Sequence, residues 1–180
     1  MIARLARIIR AFGGDRSGVS AVEFALIAPF MVTLYLGGVQ LSLALTADRK
    51  LTSAANAVGD LVAQDDFVTD GEMDDIFAAA DAIMTPYAID PLAMRVSSVR
   101  MDDDGDVWVD WSEGEGLPAR SGDNVPTIPD GILVEGESIV VVEAGYVFRT
   151  PYKIEGLDEF TLSDTVYLRP RRSLWVRRES

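Results

Sequence analysis

The chain of 180 residues contains no cysteine and no histidine, and its only lysines are Lys50 and Lys153. The absence of histidine excludes Ser-His-Asp and Cys-His catalysis and histidine-based zinc sites. The absence of cysteine excludes disulfides, so the compartment has to be judged from topology. Neither lysine lies in a recognisable nucleophile motif. We therefore predict that the protein is not an enzyme and that it carries no catalytic residue and no cofactor.

Basic residues are scarce and unevenly distributed. The net charge is -13, but residues 1–18 hold four arginines and one aspartate, so the rest of the chain has a net charge of -16. Such an acidic surface repels phosphates and anionic lipid headgroups, so we expect no nucleic-acid partner. A cationic or metal-bridged partner suits this charge better.

A long apolar segment follows the basic leader. From Phe24 to Ala47 the chain has 24 residues without a charge, which as a helix would extend about 36 Å and cross a hydrocarbon layer of about 30 Å. A secretory signal fits less well, because its apolar core is shorter and precedes its cleavage site. We predict a leader over residues 1–18, a transmembrane helix over residues 19–47 and a cytoplasmic N-terminus.

The start of this segment carries a recognisable motif, Gly18-Val-Ser-Ala-Val-Glu-Phe24. It resembles the prepilin signal of type IV pilin-like proteins, and its continuation to Pro29 is similar to TadE/TadG-like minor pseudopilins of the tight-adherence (Tad) pilus. The resemblance covers roughly residues 13 to 50. It implies that a membrane prepilin peptidase cuts between Gly18 and Val19 and that Glu23 and Phe24 act in assembly. An uncleaved signal anchor is the alternative.

Glu23 is the one carboxylate at the start of the apolar run. A charge near a bilayer centre costs about 2.5 kcal/mol or more, and less near the interface, so Glu23 requires a partner. The new amine of Val19, in the same chain or in a neighbouring subunit, would provide one and would select an axial register. Alternatively, Glu23 only caps the start of a helix at the membrane interface.

Apolar periodicity predicts an α+β fold resembling the pilin lollipop, with a periplasmic domain over residues 48–180. One long helix from Val19 to Ala63 should pack on a small antiparallel sheet through a stripe of apolar residues, and a short second helix should begin near Glu72, after a capping box that starts at Thr69. Pro86 should end it. The stripe comprises Leu51, Ala54, Ala55, Val58, Leu61 and Val62.

Four β-strands are predicted from β-branched and aromatic runs. The run from Ile139 to Val142 is apolar on both faces, which favours a central strand, whereas Phe160 to Leu168 alternates like a strand with one wet face. Residues 113–136 contain five glycines and three prolines and should form an irregular excursion. The predicted strands are Met94 to Met101, Val107 to Ser112, Ser138 to Phe148 and Phe160 to Leu168.

Two charged segments have alternative interpretations. Asp102, Asp104 and Asp106, with Asp110 beyond, resemble a calcium loop, but a hairpin turn explains the same composition, and their spacing departs from the EF-hand pattern. The arginines of Arg169 to Arg178 pair either with acidic residues of this domain or a neighbouring subunit, or form a solvated tail. Trp108, Trp111 and Tyr146 are interpreted as packing residues of the sheet.

The resemblance implies a minor pseudopilin that initiates or assembles a Tad-type (type IVc) pilus for surface adhesion. Its expected partners are the prepilin peptidase, other pilins and pseudopilins, and the assembly platform of the inner membrane with its cytoplasmic ATPase. The alternative is an uncleaved bitopic inner-membrane protein whose periplasmic domain binds a ligand or another protein. A calcium-binding adhesive site at the aspartate loop is a third hypothesis.

Overall fold

The computed structural model describes residues 17–152 and 158–179. Helix α1 runs over Ser17–Gln64 and helix α2 over Asp70–Met84. This is the α+β arrangement expected from the sequence, with a long apolar N-terminal helix, a short second helix and a four-stranded antiparallel sheet in the order β3-β2-β4-β5. The strands are β1 (Phe67–Thr69), β2 (Leu92–Met101), β3 (Val107–Glu115), β4 (Ser138–Arg149), β5 (Glu159–Leu168) and β6 (Arg177–Glu179).

The chain divides after Leu41 into two compact units. Helix α1 therefore contributes to both, with residues 17–41 in the first and residues 42–64 in the second. In the second unit, Ala44 and Ala47 are already buried in the core. Helix α1 thus contributes to the core of the second unit from Ala44, three residues before the predicted end of the membrane segment at residue 47.

The second half of α1 packs on the sheet through the predicted apolar stripe. Leu51, Ala54, Ala55, Val58 and Val62 are fully buried and share one core with apolar residues of α2, β2 and β4. Leu61 differs from the prediction, because 40% of it is exposed. It lies at the edge of the stripe, where 100° per residue turns it away from the sheet.

Helix α1 approaches the sheet closely at Gly59. A Cβ atom at this position would collide with Leu168 Cδ1 and lie 3.2 Å from Val142 Cγ2. Gly71, in the first turn of α2, has nothing within 4 Å of the same position. The first glycine is therefore needed for packing, and the second is not.

Gly59→Leu should lower the free energy of unfolding by about 2 kcal/mol, because the added side chain has to push the sheet from the helix. Urea unfolding of the full chain in detergent, followed by tryptophan fluorescence, measures this change. Gly71→Leu is the matched control and should be neutral or stabilising by up to about 1 kcal/mol. Equal effects of both substitutions would contradict the close approach at Gly59.

Helix α2 has the predicted capping box. The Thr69 side chain accepts the Glu72 backbone N–H, and the Glu72 carboxylate accepts the Thr69 backbone N–H at 2.8 Å. The hydrogen bonds that the Glu72 carboxylate accepts from the backbone N–H and the hydroxyl of Thr69 lower the pKa of Glu72. At the other end, Lys50 of α1 donates to the carbonyl oxygens of Ile83 and Thr85 at 2.8 and 2.7 Å. The Lys50 ammonium group thus gives a hydrogen-bond donor to two carbonyl groups at the C-terminal end of α2 that have no partner within the helix.

Strand β4 lies between β2 and β5 and is covered on both faces, which confirms that the Ile139 to Val142 run is a central strand. Val140 and Val142 face the helices, whereas Ile139 and Val141 contribute to a second, smaller core. That second core is completed by the irregular segment of residues 116–137, through Leu133 and its partly buried neighbours. The sequence predicted this irregular segment, but residues 113–115 belong to β3 instead. The sequence did not predict that the segment covers one face of the sheet.

Candidate membrane and assembly segment

The described part of the first unit is a helix whose large apolar side chains are exposed on all sides. Phe24, Leu26 and Tyr35 are each more than 70% exposed. A helix that is apolar on all sides is stable either in lipid or in a protein interior. The most apolar 18-residue stretch of α1 is not buried within the described protein, so lipid or a partner protein would have to cover it. By length and composition, α1 is the one described helix that is able to cross a membrane.

All four predicted processing and assembly residues lie in the first turns of α1. Gly18 and Val19 follow the first helical residue, Ser17, and Val19 is 58% exposed. Glu23 is exposed, and Phe24 is 73% exposed beside it. Val19 and Glu23 are four residues apart and so share one face of the helix. An amine created at Val19 would therefore lie one helical turn from the Glu23 carboxylate.

Helix α1 continues through Pro29. Proline has no N–H, so the carbonyl of Ala25 loses its helical hydrogen bond at this point. One turn later the Thr33 hydroxyl donates to the carbonyl of Pro29 at 2.9 Å. The exposed apolar half of the helix therefore lacks one backbone hydrogen bond at this point.

Residues 18–60 match the model of the family described as TadE-like protein. Over this range the chain is similar to TadE-like proteins. The matched range begins at Gly18, the predicted processing residue, and extends over both the exposed apolar half of α1 and most of its buried half. Neither the curated proteins nor the solved structures give a significant match. The TadE-like segment thus confirms the family resemblance on the part of the chain that carries the motif.

The aspartate loop, in contrast, is a hairpin turn between β2 and β3. The Asp102 carboxylate accepts the backbone N–H groups of Asp104 and Asp106, at 3.0 and 2.8 Å, and Gly105 has a φ of 86°. Asp110 forms an ion pair with Arg100. Within residues 17–152 and 158–179, no group of three or more acidic side chains is arranged to hold a metal ion. The sheet geometry accounts for this loop as a turn.

The arginine segment, residues 169–179, is folded onto the domain, so the interpretation as a solvated tail was wrong. Val176 is fully buried, and its carbonyl accepts the Trp111 indole N–H at 2.7 Å. Strand β6 pairs in parallel with β1, in a register that joins Phe67 to Arg177. The arginine segment contacts the domain through ion pairs as well as through apolar packing. Four of its arginines pair, in chain order, with four aspartates: Arg171 with Asp60, Arg172 with Asp65, Arg177 with Asp66 and Arg178 with Asp70.

A second charged cluster, which the sequence did not indicate, holds the irregular segment to the sheet. Glu143 of β4 accepts hydrogen bonds from Arg95 of β2 and from Arg120 of the irregular segment, with nitrogen-to-oxygen distances of 2.7 to 2.9 Å. Arg95 also donates to the carbonyl of Pro118. The three charged side chains are only 12 to 20% exposed. Glu143 is therefore the link between the sheet and its cover.

Two of the three predicted packing aromatics lie in the main core. Tyr146 is buried, and Trp111 packs against the cluster that joins α1, α2 and the sheet. Trp108 instead contacts Arg100, whose guanidinium lies 5.4 Å from the Trp108 ring and 4.1 Å from the Trp175 ring. Arg100 of β2 thus forms two cation–π pairs, one with Trp108 of β3 and one with Trp175 of the arginine segment.

Proposed function

We propose that this protein is a minor pseudopilin of a Tad-type (type IVc) pilus, which takes part in initiating or assembling a fibre for surface adhesion. The observation that carries the proposal is the TadE-like match at residues 18–60, which begins at the predicted processing site and covers a helix with an exposed apolar half. In this role the protein supplies structure, and its partners supply the chemistry. They are the prepilin peptidase, other pilins and pseudopilins, and the assembly platform of the inner membrane.

The mechanism begins with removal of residues 1–18. Cleavage frees the amine of Val19, and the spacing within α1 brings this amine to the same face as Glu23. In lipid, a carboxylate gains more from a cation than in water, because the dielectric constant is lower. The amine is provided by the same chain or by a neighbouring subunit. Only a subunit in the correct axial register would pair its amine with Glu23.

We expect the mature protein to begin at Val19. The peptide bond after Gly18 lies in the first turn of α1, where backbone N–H groups lack helical partners and the turn unwinds at little cost. Intact-mass analysis of protein extracted from its host membrane tests this expectation. Gly18→Leu should accumulate as precursor, because a side chain blocks close approach of the peptidase backbone.

Retention of residues 1–18 in wild-type protein, in cells whose peptidase is active, would contradict the processing step. That result would favour the uncleaved bitopic protein instead. Ser20→Leu is a suitable control, since it adds the same side chain on the far side of the cut. It should not prevent processing.

The folded domain should lie in the periplasm. Residues 1–18 hold four arginines, and a basic flank remains in the cytoplasm by the positive-inside rule. A reporter that is active only outside the cytoplasm should therefore work when fused after Ser180. The same fusion with the four arginines replaced by glutamine should lose this preference. Activity of a cytoplasm-only reporter after Ser180 in the unmodified chain would reverse the orientation.

A further inference from the structure

An open groove runs between helix α2 and the strands β2 and β3 of the folded domain. It consists of two adjoining cavities of about 260 and 380 Å³, which share Phe77, Asp81 and Glu115 as lining residues. Met94 and Phe77 are buried at its floor, and Ile89 is a large apolar residue that is 49% exposed at its rim. The groove therefore offers apolar surface to an occupant.

The rim of the groove is acidic, and most of its carboxylates have no ion-pair partner among the described residues. Asp81, Asp90 and Glu115 form no ion pair with any residue that the structure describes. All nine arginines between residues 92 and 179 are already in ion pairs. No arginine of this region is left to neutralise the rim.

Strand β3, which carries Glu115, also contains a carboxylate that is neutralised by an arginine. Glu113 and Glu115 are two residues apart in β3 and so point to the same face. Glu113 pairs with Arg178 at 3.2 Å, and the same guanidinium pairs with Asp70 at the start of α2. Glu115 and Asp81 form an equivalent pair of acids along the groove without an arginine between them. An occupant that brings a cation would complete this arrangement.

We propose that the groove binds a segment of another protein in which arginine or lysine side chains stand beside apolar ones. The cation would neutralise Asp81 and Glu115, and the apolar side chain would cover Ile89 and the floor. A second copy of this chain is a poor occupant, because residues 42–180 carry 27 acidic and 12 basic residues and the domains repel one another. This inference goes beyond the pilus proposal and does not depend on it.

The test uses the full chain in detergent and a fluorescent 12-residue probe peptide that alternates arginine with leucine. Asp81→Asn/Glu115→Gln should weaken its binding about tenfold, since two partly desolvated ion pairs are lost. Asp104→Asn/Glu135→Gln removes the same charge elsewhere and should change the affinity less than about twofold. Ile89→Ser should also weaken binding about tenfold, through the lost apolar contact.

Two further measurements accompany the binding experiments. A probe with glutamine in place of arginine should not bind. Asp81→Asn/Glu115→Gln should have a melting temperature equal to or above that of the wild type, because two like charges along the groove are removed. Such a result would show that its weaker binding does not come from a folding defect. Equal losses in the groove and control double variants, or wild-type binding by Ile89→Ser, would overturn the proposal.

Discussion

Replacing Glu143 by alanine should lower the free energy of unfolding by about 3 kcal/mol, which is near the loss seen when one partner of a buried ion pair is removed. The substitution leaves Arg95 and Arg120, both less than 17% exposed, without the carboxylate they share. It also releases the irregular segment of residues 116–137 from the sheet. We therefore expect the second core around Leu133 to loosen together with the ion pairs.

Urea unfolding of the full chain in detergent, followed by tryptophan fluorescence, measures this loss. Glu159→Ala is the control, because Glu159 belongs to the same sheet and pairs with Arg149, but both side chains are more than half exposed. An exposed pair contributes about 1 kcal/mol or less. If Glu143→Ala costs no more than Glu159→Ala, Glu143 does not link the sheet to its cover.

The contribution of Glu143 should also depend on pH. Burial opposes ionisation of this carboxyl, but the hydrogen bonds from Arg120 and Arg95 outweigh it, so the pKa of Glu143 is lowered in the folded state. Its stabilising effect is therefore complete above the pKa of the unfolded chain, about 4.3. It is lost as the pH falls through the lower folded pKa. The stability difference between wild type and Glu143→Gln should accordingly be large at pH 7 and disappear in strong acid.

Glu23→Ala should reduce incorporation into the pilus by about tenfold or more while leaving membrane insertion intact. Removing a carboxylate from an apolar segment makes insertion easier, by an amount that rises toward the bilayer centre. Any subunit that contributed its Val19 amine would then hold an unpaired charge in lipid, which is costly. Insertion and assembly should therefore change in opposite directions.

Glu23→Gln separates charge pairing from helix capping, because it keeps the shape and an acceptor oxygen but removes the charge. We expect it to assemble as poorly as Glu23→Ala. The measurements are co-purification with the other pilus components, a count of surface pili and the membrane-bound fraction of each variant. Ser20→Ala, in the same turn of the helix, is the control. Wild-type pili in both Glu23 variants would show that this carboxylate only caps the helix.

Local sequence signals predicted the elements that depend on local physics. The Thr69 capping box, the buried stripe from Leu51 to Val62 and the doubly apolar run at Ile139 were all readable, because each satisfies a backbone or burial requirement within a few residues. The processing and assembly residues, Gly18 to Phe24, came from motif and family resemblance. Their roles remain predictions, although the TadE-like match covers all of them.

The missed features depend on residues that are distant in sequence. Strands β1 and β6 have three residues each, too few for any period, and they meet across about 110 positions. Glu143 lies in an apolar strand, and nothing near it in the sequence indicates that Arg95 and Arg120 converge on it. The second core uses isolated residues such as Leu133 within a segment rich in glycine and proline. Such partners are set by tertiary packing rather than by local pattern.

The pairing of β1 with β6 sets an order of events during synthesis of the chain. Residues 67–69 are synthesised early, but their strand partners, residues 177–179, follow about 110 residues later. Until then, Asp60 to Asp70 stand without their arginines, and the indole N–H of Trp111 has no Val176 carbonyl. Contacts so distant in sequence form late and slowly. The domain therefore remains open until nearly all of the chain has been synthesised, and only then does it close around its first strand.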